Sequence, residues 1–201
     1  ATATRAYLRM TTDLDDGATL TLTPYLRSNE MTFFMHFLPT KPIEENSHES
    51  FGVQLAYARD AENVSYVTGI DIELTNGELS EVQTADADNF NNYLPGTHYD
   101  FEVEAQVIAP YVHAVWALSD MTELTTGVRF EMTDYDYTNN TGDGLQGKLF
   151  RPTSQSNDYS DVSPKIGLVH RLADNRRVFA SLARAARAPQ ITDLYRLRDD
   201  D

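Results

Sequence analysis

Across residues 99–137 the chain alternates apolar and polar positions over two long runs. Tyr99, Phe101, Val103, Ala105, Val107, Ala109 and Tyr111 share one parity, and Asp100, Glu102, Glu104 and Gln106 the other. After the tight Ser119-Asp120-Met121-Thr122 turn, Leu124, Val128, Phe130 and Met132 oppose Glu123, Thr125, Arg129 and Glu131. Period-two alternation predicts an antiparallel hairpin of half-buried strands. Its arms exceed the ~5–6 residues of an average globular strand. They reach the ~9–11 residues of a membrane-crossing strand, apolar on one face and polar on the other. The expectation is that Phe101, Val103, Leu124 and Phe130 lie against lipid while the acids line a wet interior.

The same rhythm recurs elsewhere. Thr4, Ala6, Leu8, Met10, Thr12 and Leu14 mark a first strand, and Asp13-Leu14-Asp15-Asp16-Gly17 a tight turn whose Asp-Gly pair suits positive φ. Ala18, Leu20, Leu22, Pro24 and Leu26 form the next, with Pro24 marking a bulge or pairing gap. Phe51, Val53, Leu55 and Tyr57 follow, then a turn at Asp60-Ala61-Glu62-Asn63, then Val64, Tyr66, Thr68, Ile70, Ile72 and Leu74 opposite Asp71 and Glu73. Val162, Ile166 and Leu168 oppose Asp161, Lys165 and Arg171 in a later strand, which turns at Ala173-Asp174-Asn175. The faces of its return strand, residues 177–187, are not legible. Alternation fails over residues 28–50, 76–98 and 138–159, which read as three long loops. The result is eight strands in four hairpins, with short connections at one end and long ones at the other. Outer-membrane barrels sort their loops in this way.

Composition changes this picture little. The chain has 201 residues and a formal net charge of −15, which argues against a nucleic-acid partner. The absence of cysteine excludes disulfide scaffolds and thiolate metal sites. No run approaches the ~20 apolar residues of a transmembrane helix, an absence that does not bear on β-strands. Ala1-Thr2-Ala3-Thr4-Arg5 leads directly into an alternating strand, so either a leader has been processed away or the chain begins within a longer protein.

Several motifs carry a family resemblance. Ile108-Ala109-Pro110-Tyr111, Leu118-Ser119-Asp120 and Gly127-Val128-Arg129-Phe130-Glu131 resemble the barrel of a TonB-dependent outer-membrane receptor. So do Val162-Ser163-Pro164-Lys165-Ile166-Gly167-Leu168-Val169 and Arg187-Ala188-Pro189-Gln190-Ile191-Thr192-Asp193-Leu194-Tyr195. Within that family, Met35-His36-Phe37-Leu38-Pro39 looks most like a loop of iron-complex receptors. The resemblance implies an all-β, antiparallel up-and-down transmembrane β-barrel segment, about eight strands of a 22-stranded barrel in the bacterial outer membrane. It also implies a receptor and transporter, not an enzyme, that captures a ferric siderophore or similar scarce nutrient and imports it with energy from the TonB complex. Residues 1–201 are then expected to be an internal part of one β-barrel domain, without the plug domain, the TonB box or the C-terminal strands. A self-contained eight-stranded barrel with a structural or adhesive role is the alternative, and a soluble β-sandwich module a further one.

The candidate chemistry is that of binding. No G-x-S-x-G, H-E-x-x-H or P-loop motif occurs, and no cofactor is implied. Residues 134–139 alternate oxygen-bearing side chains but lack the glycine and terminal glutamate of a calcium loop, so no metal site is assigned. Phe33, Phe34 and Phe37 suit either an aromatic platform for a ligand or a loop packed on itself. His36 and His48 share that loop. His113 and His170 read as strand residues near the short-turn end. Tyr135 and Tyr137 suit an aromatic girdle at the membrane boundary. Arg129, Lys165 and Arg187 read as cations paired across a mostly acidic wall, and Arg184 with Arg187 as a lumenal basic cluster. The expected ligand contacts are Phe33, Phe34, His36, Phe37, Arg184, Arg187 and Tyr195.

Overall fold

The computed structural model describes residues 1–15, 17–36, 38, 41–84 and 93–199. Strands β1 (Thr2–Tyr7) and β2 (Met10–Asp13) are two pieces of one interrupted strand, both paired with β3 (Ala18–Phe34). The sheet continues antiparallel through β4 (Ile43–Ala61), β5 (Val64–Gln83), β6 (Gly96–Ser119) and β7 (Thr122–Asn139). After β8 (Gly144–Gln146) and β9 (Leu149–Arg151), β10 (Gln155–Ala173) and β11 (Arg176–Ala183) complete it. A short helix, α1 (Ile191–Tyr195), precedes β12 (Leu197–Arg198), which pairs with β9 in a three-stranded sheet ordered β12-β9-β8. With β1 and β2 taken together, the main sheet is the expected set of eight strands. It is open: β1 and β11 lie at opposite edges, and the first-to-last pairing of a self-contained small barrel is not found among the described residues.

The sorting of connections holds. Residues 62–63, 120–121 and 174–175 turn the chain at one end, and residues 35–42, 84–95 and 140–154 connect strands at the other. The three long loops, however, are shorter than the alternation suggests. β3 and β4 pair as far as Phe34↔Ile43, β5 and β6 as far as Gln83↔Gly96, and β10 begins at Gln155. The strands outrun their hydrophobic signal because their loop-end halves have no apolar outer face for the pattern to mark.

Register makes the two faces explicit. On one, rows such as Leu22↔Leu55↔Ile70↔Pro110 and Val53↔Ile72↔Ile108↔Met132 form a continuous apolar band. Its members stay open to the surroundings: Phe51 is 49% exposed, Ile166 50% and Val112 41%. In β5 and β6 the band occupies residues 64–74 and 108–118, matching the ~9–11 residues of one membrane crossing. Towards the loop end the same face turns polar, in rows such as Ser47↔Glu78↔Glu102 and Glu49↔Asn76↔Glu104↔Asp136.

The opposite, inner face carries ion pairs and small residues. Arg27 meets Glu73 at 2.6 Å, and Tyr25 donates to the same carboxylate. Arg129 bridges Asp71 of β5 at 2.6 Å, the cross-strand pairing expected of it, and Glu131 of its own strand at 3.2 Å. Aromatic rings of this face lie over glycines of the next strand: Tyr25 covers Gly52 and Tyr111 covers Gly69.

One expected face is reversed. Leu124 and Phe130 lie on the apolar-band side, but Phe101 and Val103 lie on the inner face, at 3% and 1% exposure. In β6 the even positions are acids from 100 to 104 and apolar from 108 to 118, while the odd positions run from Tyr99, Phe101 and Val103 to a mixed set that includes Tyr111 and His113. The strand exchanges its polarity midway, so one parity label cannot hold along its 24 residues.

Candidate functional site

At the loop end, residues 184–198 and the small β12-β9-β8 sheet cross the inner face of the main sheet. They bury the largest apolar cluster described: Leu79, Tyr99, Phe101, Val103, Tyr137, Leu149 and Tyr195. Tyr195, at the end of α1, is fully buried and stacks on Tyr137 at 4.1 Å and 13°. Phe101 meets Tyr195 edge-on at 6.5 Å, and the Tyr195 hydroxyl donates to Asn157 Oδ1 at 2.7 Å. Tyr99 donates to the Leu197 carbonyl at 2.5 Å and Tyr135 to that of Pro189 at 3.2 Å. Arg151 reaches the carbonyls of His98 and Thr97 at 2.9 and 2.6 Å. Tyr135 and Tyr137 therefore serve the inner face, and the expected membrane-boundary girdle is not their place.

Beside this cluster an open cleft of about 640 Å³ is lined by Met31, Phe33, Glu44, Glu81, Tyr93, Tyr99 and Arg196. Glu44 and Glu81 face each other across β4 and β5 and are 6% and 4% exposed. Arg196 joins them, at 2.9 Å from Glu44 and in direct contact with Glu81. His98, itself 2% exposed, holds the other Glu81 oxygen at 2.8 Å. Burial pushes the Glu81 carboxyl upward, but the His98 hydrogen bond and the Arg196 charge outweigh it and hold it below the ordinary carboxylate value. Burial, reinforced by the Glu81 charge, pushes the Tyr99 phenol up to about 12; burial, with the Asp143 charge, takes Tyr137 to about 12 as well. Both phenols are neutral hydrogen-bond donors at pH 7.

The structure gathers only part of the expected contact set. Phe33 lines the cleft on the inner face, and Tyr195 anchors the crossing segment beside it. Phe34 points to the opposite face, 51% exposed, with its ring 6.4 Å from that of His36 at the hairpin tip. Phe37 lies outside the described residues. Arg184 is exposed, reaching Asp161 at 3.9 Å, and the Arg187 guanidinium faces the Gln190 amide at 3.1 Å. His48 bonds Asn29 at 2.7 Å on the inner face, within paired strands and not in a loop with His36. Glu44, Glu81 and His98 escape sequence reasoning because they fall in stretches whose alternation is lost. Arg196 follows directly after the Asp193-Leu194-Tyr195 motif, and that proximity is the one signal that could have found it.

A family model described as TonB dependent receptor-like, beta-barrel matches residues 2–198. No curated protein sequence matches the chain. Among solved structures, a copper transporter, OprC, superposes with a TM-score of 0.70 at 14% identity, over 94% of this chain and 31% of that one. The ferric citrate transporter FecA in its unliganded form gives 0.66 at 14% identity, over 89% and 26%. The ferric yersiniabactin uptake receptor FyuA from Yersinia pestis gives 0.61 at 18% identity, over 89% and 27%. The chain thus spans less than a third of the length of each of these proteins, and at such identities the likeness is one of fold. With the family model matching almost end to end, and the open eight-stranded sheet superposing on barrels of this kind, the chain belongs to the TonB-dependent receptor-like β-barrel family of bacterial outer-membrane receptors.

Proposed function

We propose that these strands form part of the wall of a larger, 22-stranded barrel that captures an iron–siderophore-type compound outside the cell and imports it with energy from the TonB complex. In this reading the apolar band contacts outer-membrane lipid, the ion-paired face lines the lumen, and residues 1–201 belong to a single barrel domain whose plug lies elsewhere in the protein. The observation that carries it is a coincidence of three features at one end of the sheet. The long connections, the polar extension of the outer face and the cleft on the inner face all lie beyond the apolar band. The cleft is where a captured compound first meets this part of the wall, with Phe33 in it and Phe34 and His36 on the adjoining hairpin. Tyr195 lies beside it on the crossing segment, and Arg184, against Asp161 of β10, and Arg187 offer contacts farther along the wall.

The test is uptake in cells carrying the full-length receptor as their only one of its kind. Labelled ferric citrate, ferric yersiniabactin and copper are offered with TonB present or deleted. TonB-dependent accumulation of an iron complex, reduced at least tenfold by Phe33→Ala, supports the reading. Equal accumulation with and without the receptor refutes it, and accumulation of copper alone replaces iron with copper as the cargo.

A further inference from the structure

Glu44 and Glu81 stand directly opposite on adjacent strands, facing the same way and more than nine-tenths buried. Like charges so placed repel, and the repulsion grows as water is excluded. His98 packs against one of them: its Nδ1 lies 2.8 Å from Glu81 Oε1 and its Nε2 3.0 Å from the Leu94 carbonyl.

Arg196 brings a positive charge to both carboxylates, and it does not belong to the sheet. It enters from the crossing segment, 115 residues along the chain from Glu81, directly after a helix of only five residues. Its guanidinium spans both carboxylates and lies 5.9 Å from the centroid of the Tyr99 ring. It remains 27% exposed and adjoins the open cleft, so the position can be reached from outside without unfolding the sheet. Without this segment, the sheet presents two carboxylates facing each other beside an aromatic ring. That arrangement suits a planar or compact cation.

The geometry points to a cation site made by Glu44, Glu81 and Tyr99, of which Arg196 is a tethered occupant. A guanidinium or ammonium group on an arriving compound takes the place of Arg196, and residues 190–198 lift as a gate. The inference rests on the receptor reading only for the side from which the compound arrives; the site itself does not require it.

The test uses the full-length receptor in detergent, with Thr192→Cys carrying an environment-sensitive fluorophore on the exposed side of α1. Agmatine, which bears a guanidinium and an amine, is titrated against neutral N-butylurea at constant ionic strength. A saturable signal change with agmatine alone supports the gate. Arg196→Lys, which keeps the charge but loses the two-pronged bridge, lowers the half-saturating concentration at least tenfold, because less of the protein is held closed. Glu81→Gln abolishes the response. Equal responses to both compounds, or no saturable response in either wild type or Arg196→Lys, overturn the proposal. If agmatine binds as expected while iron-complex uptake fails, the cation site stands and the transport reading falls.

Discussion

Replacing Tyr195 with alanine separates the crossing segment from the sheet that holds it. The side chain is fully buried, stacked on Tyr137, edge-on to Phe101 and bonded to Asn157. Truncating a buried aromatic to alanine costs about 3–5 kcal/mol, of which the ring pairs account for roughly 0.5–1.5 each. Tyr195→Phe keeps the rings and loses one hydrogen bond, about 1 kcal/mol. The segment is otherwise tied by Arg196, by Tyr99 to Leu197 and by Asp199 N–H to the Lys148 carbonyl at 2.9 Å. The sheet beneath it is held by ladders that do not involve Tyr195. The loss therefore acts on local opening, not on the barrel. At about 1.4 kcal/mol per factor of ten, Tyr195→Ala raises the open population of the segment roughly a hundredfold to a few thousandfold, and Tyr195→Phe roughly fivefold. Hydrogen exchange on the full-length receptor reads this directly at the amides of Leu194 and Arg196, which bond within the segment. Amides of β5 and β6 serve as the internal standard. The reasoning is refuted if protection at Leu194 and Arg196 is unchanged, if the alanine and phenylalanine variants behave alike, or if β5 and β6 lose protection in step.

Gly69→Ala drives a methyl into the Leu55 carbonyl and to within 2.7 Å of the Tyr111 ring, and is expected to destabilise the sheet by about 1–3 kcal/mol by denaturant titration, whereas Gly142→Ala, with open space around it, leaves the midpoint unchanged. Val112→Arg puts a charge in the middle of the apolar band and costs about 2–4 kcal/mol in a lipid-refolding assay, while Gln106→Arg, beyond the band on the same face, costs about 0–1. Because the Glu81 carboxyl is held below its ordinary value of 4.5 in the folded state, its contribution to docking is complete above that pH and is lost as the pH falls through the lowered value. Acidification below about 4.5 should then release the Thr192 fluorophore in wild type, and Glu81→Gln should flatten that transition. The Tyr99, Tyr137 and Tyr195 phenols ionise near 12 and not near 10, so alkaline titration of phenolate absorbance shows a late fraction that Tyr195→Phe makes smaller.

The strand count, the hairpin order and the placement of turns were legible in the sequence, because each depends on local chemistry. Period-two alternation, Asp-Asn-Gly turn residues and connection lengths act over a few neighbouring positions, and residues 64–74 and 124–132 follow their predicted faces. Where the surroundings change along a strand, the pattern no longer reports the fold. Ser28, Glu30 and Thr32 continue β3 beyond the apolar band, and only pairing with β4 shows that they are strand. For the same reason Phe101 and Val103, apolar by any local measure, face the interior: what covers them is a segment more than ninety positions along the chain, at Tyr195.

The candidate site lay beyond the sequence altogether. Glu44, Glu81, His98 and Arg196 come from three strands and a crossing segment, and the two carboxylates meet their partners only when all four are assembled. Alternation along one strand determines which residues can share a face. Which of two faces meets lipid, and which distant arginine meets which buried carboxylate, depends on long-range contacts that no short stretch of chain encodes, and only the tertiary structure decides them.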